Sequence, residues 1–324
     1  MAHKAYKFRL YPTKEQEEFL VKTFGCVRFV YNKMLAERQE TYERFKEDKE
    51  LLKKQRFPTP AKYKKEFGWL REVDSLALAN AQLNLQNSFS RFFSGKSGYP
   101  KFKSRRSRQS YTTNMVNGNI KLLDVSIKLP KLQPLRMKQH RDIPTHHIIK
   151  SCTFSRSATG KYHVSILTKY EHAPSKKEIR EVVGLDFAMQ GLFVESERGK
   201  KSNYPRFYRQ MEEKLAKEQR ILSKRTKGSS RWNRQRIKVA RLHEKAANQR
   251  KDYLHKEARK LADRYDGVVI EDLHMKGMSQ ALRLGKSVAA LFPWPPSPAP
   301  RSPVNPLDGT HLRRCGNALL TLAI

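Results

Sequence analysis

Hydrophobic and polar residues alternate over AYKFRLYP (5–12), with Tyr6, Phe8 and Leu10 on one face and Lys7, Arg9 and Tyr11 on the other. A period of two predicts a half-buried strand, and Pro12 stops it. The period then changes. Thr13 and Gln16 form a capping-box pattern, after which Phe19, Leu20, Thr23, Phe24 and Val27 recur at helical spacing. Gly25 interrupts this helix, and Val30, Tyr31, Met34 and Leu35 carry a second helical stripe toward about Leu52. FPTP (57–60) breaks the run. Asp74-Ser75 is an N-cap pair for another helix, marked by Leu78, Gln82, Leu85, Phe89 and Phe92. Residues 13–93 therefore read as a helical unit inserted after a first strand.

Strand periods return over 110–171. Asn117-Gly118 is a strong hairpin signal, Pro130, Pro134 and Pro144 punctuate short strands, and a second hairpin closes around Ala158-Thr159-Gly160. With the N-terminal strand these segments predict a small β-barrel built from 1–12 and 109–175, carrying the helical insert 13–108. His146 and His147 read as loop residues, and no partner spacing supports metal ligation by them.

HAPSKKEIRE (172–181) reads as a linker, and an α/β pattern follows. Val182, Val183 and Leu185 form a strand core with Asp186 at its far end, and Gly191 turns the chain into a returning strand, Leu192–Glu195. Two long helical stretches span 204–265, separated by KGSS (227–230). Apolar stripes (Met211, Leu215, Leu222; Val239, Leu242, Ala246, Tyr253) mark their packed faces, and Lys and Arg crowd the others. In YDGVVIEDLHMKGM (265–278) a second short strand, Val268–Ile270, ends in Glu271 and Asp272.

Charge narrows the function. The 324 residues carry 67 Lys+Arg against 31 Asp+Glu, a formal net charge of +36. Such a field opposes compaction unless a polyanion offsets it, and nucleic acid is the expected partner. SGKSGYPKFKSRRSRQSY (94–111) concentrates the signal: Lys96, Lys101, Lys103, Arg105, Arg106 and Arg108 without an acid, interleaved with Tyr99, Phe102 and Tyr111. Cations follow a phosphate backbone and aromatic rings stack on bases; a solvated, flexible linker is the plainer alternative. Three dispersed cysteines contain no CxxC pair, so neither a disulfide framework nor a zinc knuckle is expected. No apolar leader or membrane-length apolar run occurs, so the expectation is a soluble, cytoplasmic protein with no membrane partner. Asp186 taken alone could equally cap a strand end. Two strands that both end in acid suggest more, because neighbouring carboxylates repel unless a hard cation such as Mg²⁺ lies between them.

GLDFAMQGLFVES, the long basic helical hairpin and VVIEDLHMKGM resemble the first two RuvC-like motifs of the TnpB/OrfB family of transposon-encoded RNA-guided endonucleases. KAYKFRLYPTKEQEEFL with GCVRFVYN (25–32) resembles the family's N-terminus, and YPKFKSRR (99–106) its basic segment. The resemblance covers about residues 1–288. It implies a wedge-type barrel, a helical recognition insert, an RNase H-like (RuvC-like) nuclease domain over 179–288, Mg²⁺, a guide RNA from the transposon end and a DNA target. Residue by residue, Asp186 matches the family's first catalytic Asp and Glu271 its Glu, both as metal ligands.

The family pattern stops near Ser287. Members continue into a zinc ribbon of CxxC pairs and a third catalytic Asp, whereas residues 289–306 here hold seven of the chain's 16 prolines. Residues 289–324 therefore read as a Pro-rich, aberrant tail, produced by a frameshift or recombination. It brings no zinc site, and Asp308, in a proline-flanked loop, is a poor third ligand. Losing the third carboxylate and the last sheet elements is expected to impair cutting and to leave a sheet edge open. Three functions stay in view: a metal-dependent, RNA-guided DNA endonuclease, a nuclease-dead remnant that still binds RNA or DNA, and an unrelated basic RNA-binding protein in which both acids are structural, which the ordered set of motifs disfavours.

Overall fold

The computed structural model describes residues 1–171, 179–187, 191–196, 199, 202–271 and 319–323. Asp272, the proline-rich run, Asp308 and Cys315 lie outside the described residues, as does most of the expected linker. The chain forms two compact units, Met1–Ala173 and Pro174–Ile324.

The first unit opens with β1 (Ala2–Leu10), whose Tyr6, Phe8 and Leu10 are buried as the alternation predicts. Helix α1 (Lys14–Phe45) follows, with the capping box in place: Gln16 N–H donates to Thr13 Oγ1 and Thr13 N–H to Gln16 Oε1. The Gln16 amide also donates to the Pro134 carbonyl at 3.1 Å, tying the helix start to the barrel.

Gly25 does not interrupt the helix, as the pattern suggested; α1 runs through it for 32 residues. A glycine inside a helix costs about 1 kcal/mol. Burial of Leu20, Phe24, Val27, Val30, Tyr31, Met34 and Leu35 on either side of it is worth several times that. The helix also ends earlier than the stripe implied, and a separate short helix, α2 (Lys49–Lys54), begins at the Asp48 cap. Short α3 (Pro60–Glu66) and a 3₁₀ turn (Gly68–Glu72) lead to α4 (Ser75–Phe93).

Asp74 caps α4 as expected, its Oδ1 accepting the Leu76 N–H at 3.0 Å. It does more than the pattern shows. The carboxyl is buried, and its Oδ2 accepts the Thr113 hydroxyl at 2.5 Å, joining helix to barrel. Asp74→Ala removes the cap and leaves a buried hydroxyl unpaired, so a loss of about 2–3 kcal/mol is expected in urea unfolding. A loss under 0.5 kcal/mol would show that the link carries no stability.

The further strands of the first unit are β2 (Gln109–Asn114), β3 (Lys121–Leu123), β4 (Ser126–Leu129), β5 (Leu132–Lys138), β6 (Ile148–Arg156) and β7 (Tyr162–Tyr170), and they build an open barrel whose edge strands, β2 and β3, do not pair. With β1 they form one sheet ordered β2-β6-β7-β1-β5-β4-β3. The β6–β7 hairpin turns through Ala158-Thr159-Gly160 as predicted, with Gly160 at φ +84°. Asn117-Gly118 does form a tight turn with both residues at positive φ, but it closes no hairpin. It joins β2 to β3, the two opposite edges of the sheet. The six residues between those edges reach roughly 25 Å at most, less than the roughly 29 Å that seven flat strands would span, so the sheet is curled rather than flat.

Pro134 sits inside β5 rather than at its end, beside the register shift between Ile127 and Leu129. An irregular ladder there tolerates a residue without an N–H. Barrel and helices share one core, in which Phe24 of α1 meets Tyr111 of β2 (ring centroids 5.6 Å apart) and Tyr111 stacks on Phe154 of β6 (5.2 Å, 20°).

The second unit contains a sheet ordered β11-β10-β8-β9: β8 (Val182–Phe187), β9 (Phe193–Glu195), β10 (Gly267–Glu271) and β11 (Leu319–Ala323). Strands β8 and β10 are parallel, and β9 and β11 flank them antiparallel. The edge expected to stand open is occupied, since β11 from the end of the chain pairs with all of β10. Helices α5 (Phe207–Ser223) and α6 (Ser230–Arg264) form the hairpin. Its faces are held by buried Leu215 and Val239 and by Gln235, whose amide donates to the Glu218 carbonyl at 3.0 Å. No helix among the described residues is long and apolar enough to cross a membrane.

Candidate functional site

Along β8 the side chains alternate. Val183 is fully buried and Leu185 packs on the same cluster with Val268, Ile270, Leu261 and Tyr265. Asp186 follows Leu185 and is exposed, on the opposite face. Gly184 precedes Asp186 on that face and makes room for a close approach. Its N–H donates to Ser196 Oγ at 3.0 Å, and a Cβ at this position would meet that oxygen at 3.1 Å. The contact fixes the return of β9 beside the carboxylate.

The parallel register of β8 and β10 runs Val182–Gly267, Val183–Val268, Gly184–Val269 and Leu185–Ile270. One step further along each strand stand Asp186 and Glu271. Two acids 85 positions apart in sequence thus occupy neighbouring positions at the same end of adjacent strands. Neighbouring strands lie about 4.8 Å apart, and at about 4 Å two like charges repel by roughly 1 kcal/mol in water and about 4 kcal/mol at an effective dielectric of 20. Hard oxygen donors in this number suit Mg²⁺, which is commonly held by one or two carboxylates and several waters. No group of three or more His, Cys, Asp or Glu that could hold a metal occurs among the described residues.

A third acid in this unit has a different role. Glu195, opposite Leu185 in the β8–β9 ladder, is buried on the apolar face. Its Oε2 lies 3.8 Å from the Arg264 guanidinium and has no hydrogen-bond partner among the described residues. It lines a cavity of about 310 Å³ with Phe193, Tyr253, Leu261 and Arg264. Sequence reading placed Glu195 only at a strand end; its burial depends on α6 folding back over β9.

The basic segment divides in two. Lys96, Tyr99, Lys101, Arg105, Arg106 and Arg108 are exposed. Lys103 is half-buried: its ammonium lies 3.9 Å from the Tyr31 ring centroid, and its backbone is held by the Asn32 side chain through two bonds of 2.8 and 2.9 Å. Burial pulls its pKa down. Lys103 therefore anchors the segment to α1 while its neighbours face solvent. Of the interleaved aromatics, Tyr99 and Phe102 are exposed, but Tyr111 lies in the barrel core and is closed to bases. Strand alternation in β2 sends Tyr111 and Thr113 inward, a signal that the composition of the segment obscured.

Helix α6 adds a second cationic surface, with 12 Lys and Arg against four acids. Acids pair with several cations near its C-terminal end (Lys256–Asp252, Arg259–Asp263, Lys260–Glu257). Arg231, Arg234, Lys238 and Arg241, exposed near its start, precede the helix's first acid, Glu244.

A family model described as "Probable transposase", that of OrfB, matches residues 165–282, and a "Helix-turn-helix domain" model of the same family matches residues 1–47. In this structure residues 1–47 contain β1 and the single helix α1, with no turn at Gly25. A "Putative RNA-guided DNA endonuclease" of Streptomyces pristinaespiralis is 33% identical over 294 residues, covering 88% of this chain and 71% of the relative. "Putative RNA-guided DNA endonuclease InsQ" of Escherichia coli is 31% identical over 279 residues, covering 86% and 68%. The solved "Cryo-EM structure of the Cas12f1-sgRNA-target DNA complex" aligns with a TM-score of 0.47 at 11% identity, over 86% of this chain and 71% of that one. That likeness is too slight to carry an argument.

Proposed function

This chain belongs to the OrfB "Probable transposase" family, and from that membership we propose that it is an RNA-guided, metal-dependent DNA endonuclease whose cleavage site is formed by Asp186 and Glu271. The observation that carries the reading is the parallel pairing of β8 with β10, which sets the two acids at adjacent strand ends.

In this reading Asp186 and Glu271 hold Mg²⁺. A hard divalent cation supplies charge stabilisation at a phosphoryl oxygen and a more acidic bound water. The protein supplies the rest. Asp186 is exposed, so a backbone phosphate reaches it without unfolding the sheet. Its strand is fixed from beneath by Val183 and Leu185, and from the side by the Gly184–Ser196 contact. The exposed cations of 96–108 and those near the start of α6 neutralise the phosphates of the guide RNA and the DNA strand.

The test is to purify the chain with the RNA it retains on co-expression and incubate it with a plasmid library and Mg²⁺. Sequence-dependent cleavage that needs both the RNA and Mg²⁺ supports the proposal. RNA retention without cleavage replaces it with a binding remnant.

Salt dependence gives a further expectation. Each neutralised phosphate adds about 0.7–0.9 to the slope of log affinity against log salt. Replacing Arg105, Arg106 and Arg108 together by Ala should flatten that slope by about 2–3. An unchanged slope in anisotropy titrations would remove the basic segment from the interface.

A further inference from the structure

Phe93 ends α4 with 78% of its surface exposed, an unusual position for a phenyl ring. The ring is not isolated. It stacks on Phe89 (6.1 Å, 24°) and packs at 5.3 Å against Phe92. Tyr99 stands edge-on to both Phe89 (5.7 Å, 87°) and Phe92 (5.2 Å, 82°). Next to Phe89 lies the Arg38 guanidinium, 4.9 Å from that ring centroid and 4.8 Å from that of Phe57. Arg38 Nε is buried without a hydrogen-bond partner among the described residues, and the guanidinium lies against two rings instead. The planar groups therefore follow one another as Phe57, Arg38, Phe89 and Phe93, and the last has a face open to water.

The surroundings say what would cover that face. After Phe93 the chain turns through Gly95 at φ +70°, and Lys96 N–H donates to the Arg91 carbonyl at 2.9 Å. The turn holds Lys96 beside Arg91 at the rim of the aromatic group, and both are exposed, as is Lys101. Not one Asp or Glu occurs between Asp74 and Asp124. An apolar peptide would leave these cations unpaired, whereas a nucleotide strand offers a flat base to the ring and phosphates to the rim.

We propose that Phe93, bordered by Phe92 and Tyr99, is a stacking platform for an unpaired base of an RNA strand whose phosphates lie along Arg91, Lys96 and Lys101. The choice of RNA rests on the guided-nuclease reading above: unpaired bases are offered by RNA loops and ends, whereas the bases of a DNA duplex are already stacked.

The test measures fluorescence anisotropy of the full chain with a short oligo-uridylate, an oligo-thymidylate of equal length and a DNA duplex. Phe93→Ala and Phe93→Leu should each weaken oligo-uridylate binding by about 5- to 100-fold without changing its salt slope, and Phe93→Trp should preserve or tighten it. Duplex affinity should stay within about twofold, because π faces in a duplex are already covered. Phe93 is exposed, so thermal unfolding of these variants should match the parent. The proposal falls if Phe93→Leu binds oligo-uridylate like the parent, if duplex binding drops equally, or if the parent prefers oligo-thymidylate. Its failure is separable from that of the nucleic-acid reading. Unchanged Phe93 variants alongside a flattened slope in the Arg105, Arg106 and Arg108 variant overturn only the platform, and no effect in either overturns both.

Discussion

Asp186→Ala should reduce guided DNA cleavage by about 10³-fold or more while leaving RNA affinity within about twofold of the parent. If the proposed site holds, the loss is large because one of the two acids at the adjacent ends of β8 and β10 is removed, and several kcal/mol of transition-state stabilisation goes with it at about 1.4 kcal/mol per tenfold. In the proposed reading RNA affinity is spared because the exposed cations of 96–108 and of α6, not Asp186, would meet the phosphates, and removing a negative charge costs a polyanion nothing. Folding is not a competing explanation: Asp186 is exposed at the end of β8, and surface substitutions of this kind stay within about 0.5 kcal/mol. Glu271→Gln should behave alike. Single-turnover cleavage at saturating RNA measures the effect. A variant retaining more than a tenth of the parent rate would place the chemistry at other residues.

Phe154→Ala should be the most destabilising single change among those considered, costing about 3–5 kcal/mol. The ring is 1% exposed and stacks on Tyr111. Tyr111 in turn meets Phe24 of α1, so one truncation loosens the contact between barrel and helix. The expected drop in melting temperature is roughly 10 °C. Phe93→Ala removes the same side chain from the surface and should leave the melting temperature unchanged. Urea unfolding of the two variants side by side distinguishes burial from side-chain chemistry. A loss under 1 kcal/mol for Phe154→Ala would mean that the core repacks around the vacated space.

Much of the first unit was legible because its signals are local. The alternation of Tyr6, Phe8 and Leu10, the Thr13–Gln16 capping box, the Asp74 cap and the Gly160 turn each depend on residues a few positions apart, and each holds in the structure. The misreadings occurred where a local preference met a stronger distant contact. Gly25 weakens α1 by less than the packing around it contributes. Pro134 is tolerated because the β4–β5 ladder is already irregular there. Asn117-Gly118 makes the turn its chemistry demands, but the strands it joins find other partners.

The same division separates the candidate sites. By itself the sequence determined that two short apolar strands end in acids, that cations and aromatic residues crowd 94–111, and that the net charge calls for a polyanion. These are properties of composition and of backbone period, which persist whatever the chain packs against. Only the tertiary structure decided that β8 and β10 lie parallel and in register, so that Asp186 and Glu271 become neighbours across 85 positions. It also decided that Lys103 and Tyr111 turn inward while Phe93 stays in water. Strand pairing and burial are set by the partner surface as much as by the segment itself, and no local period encodes the partner.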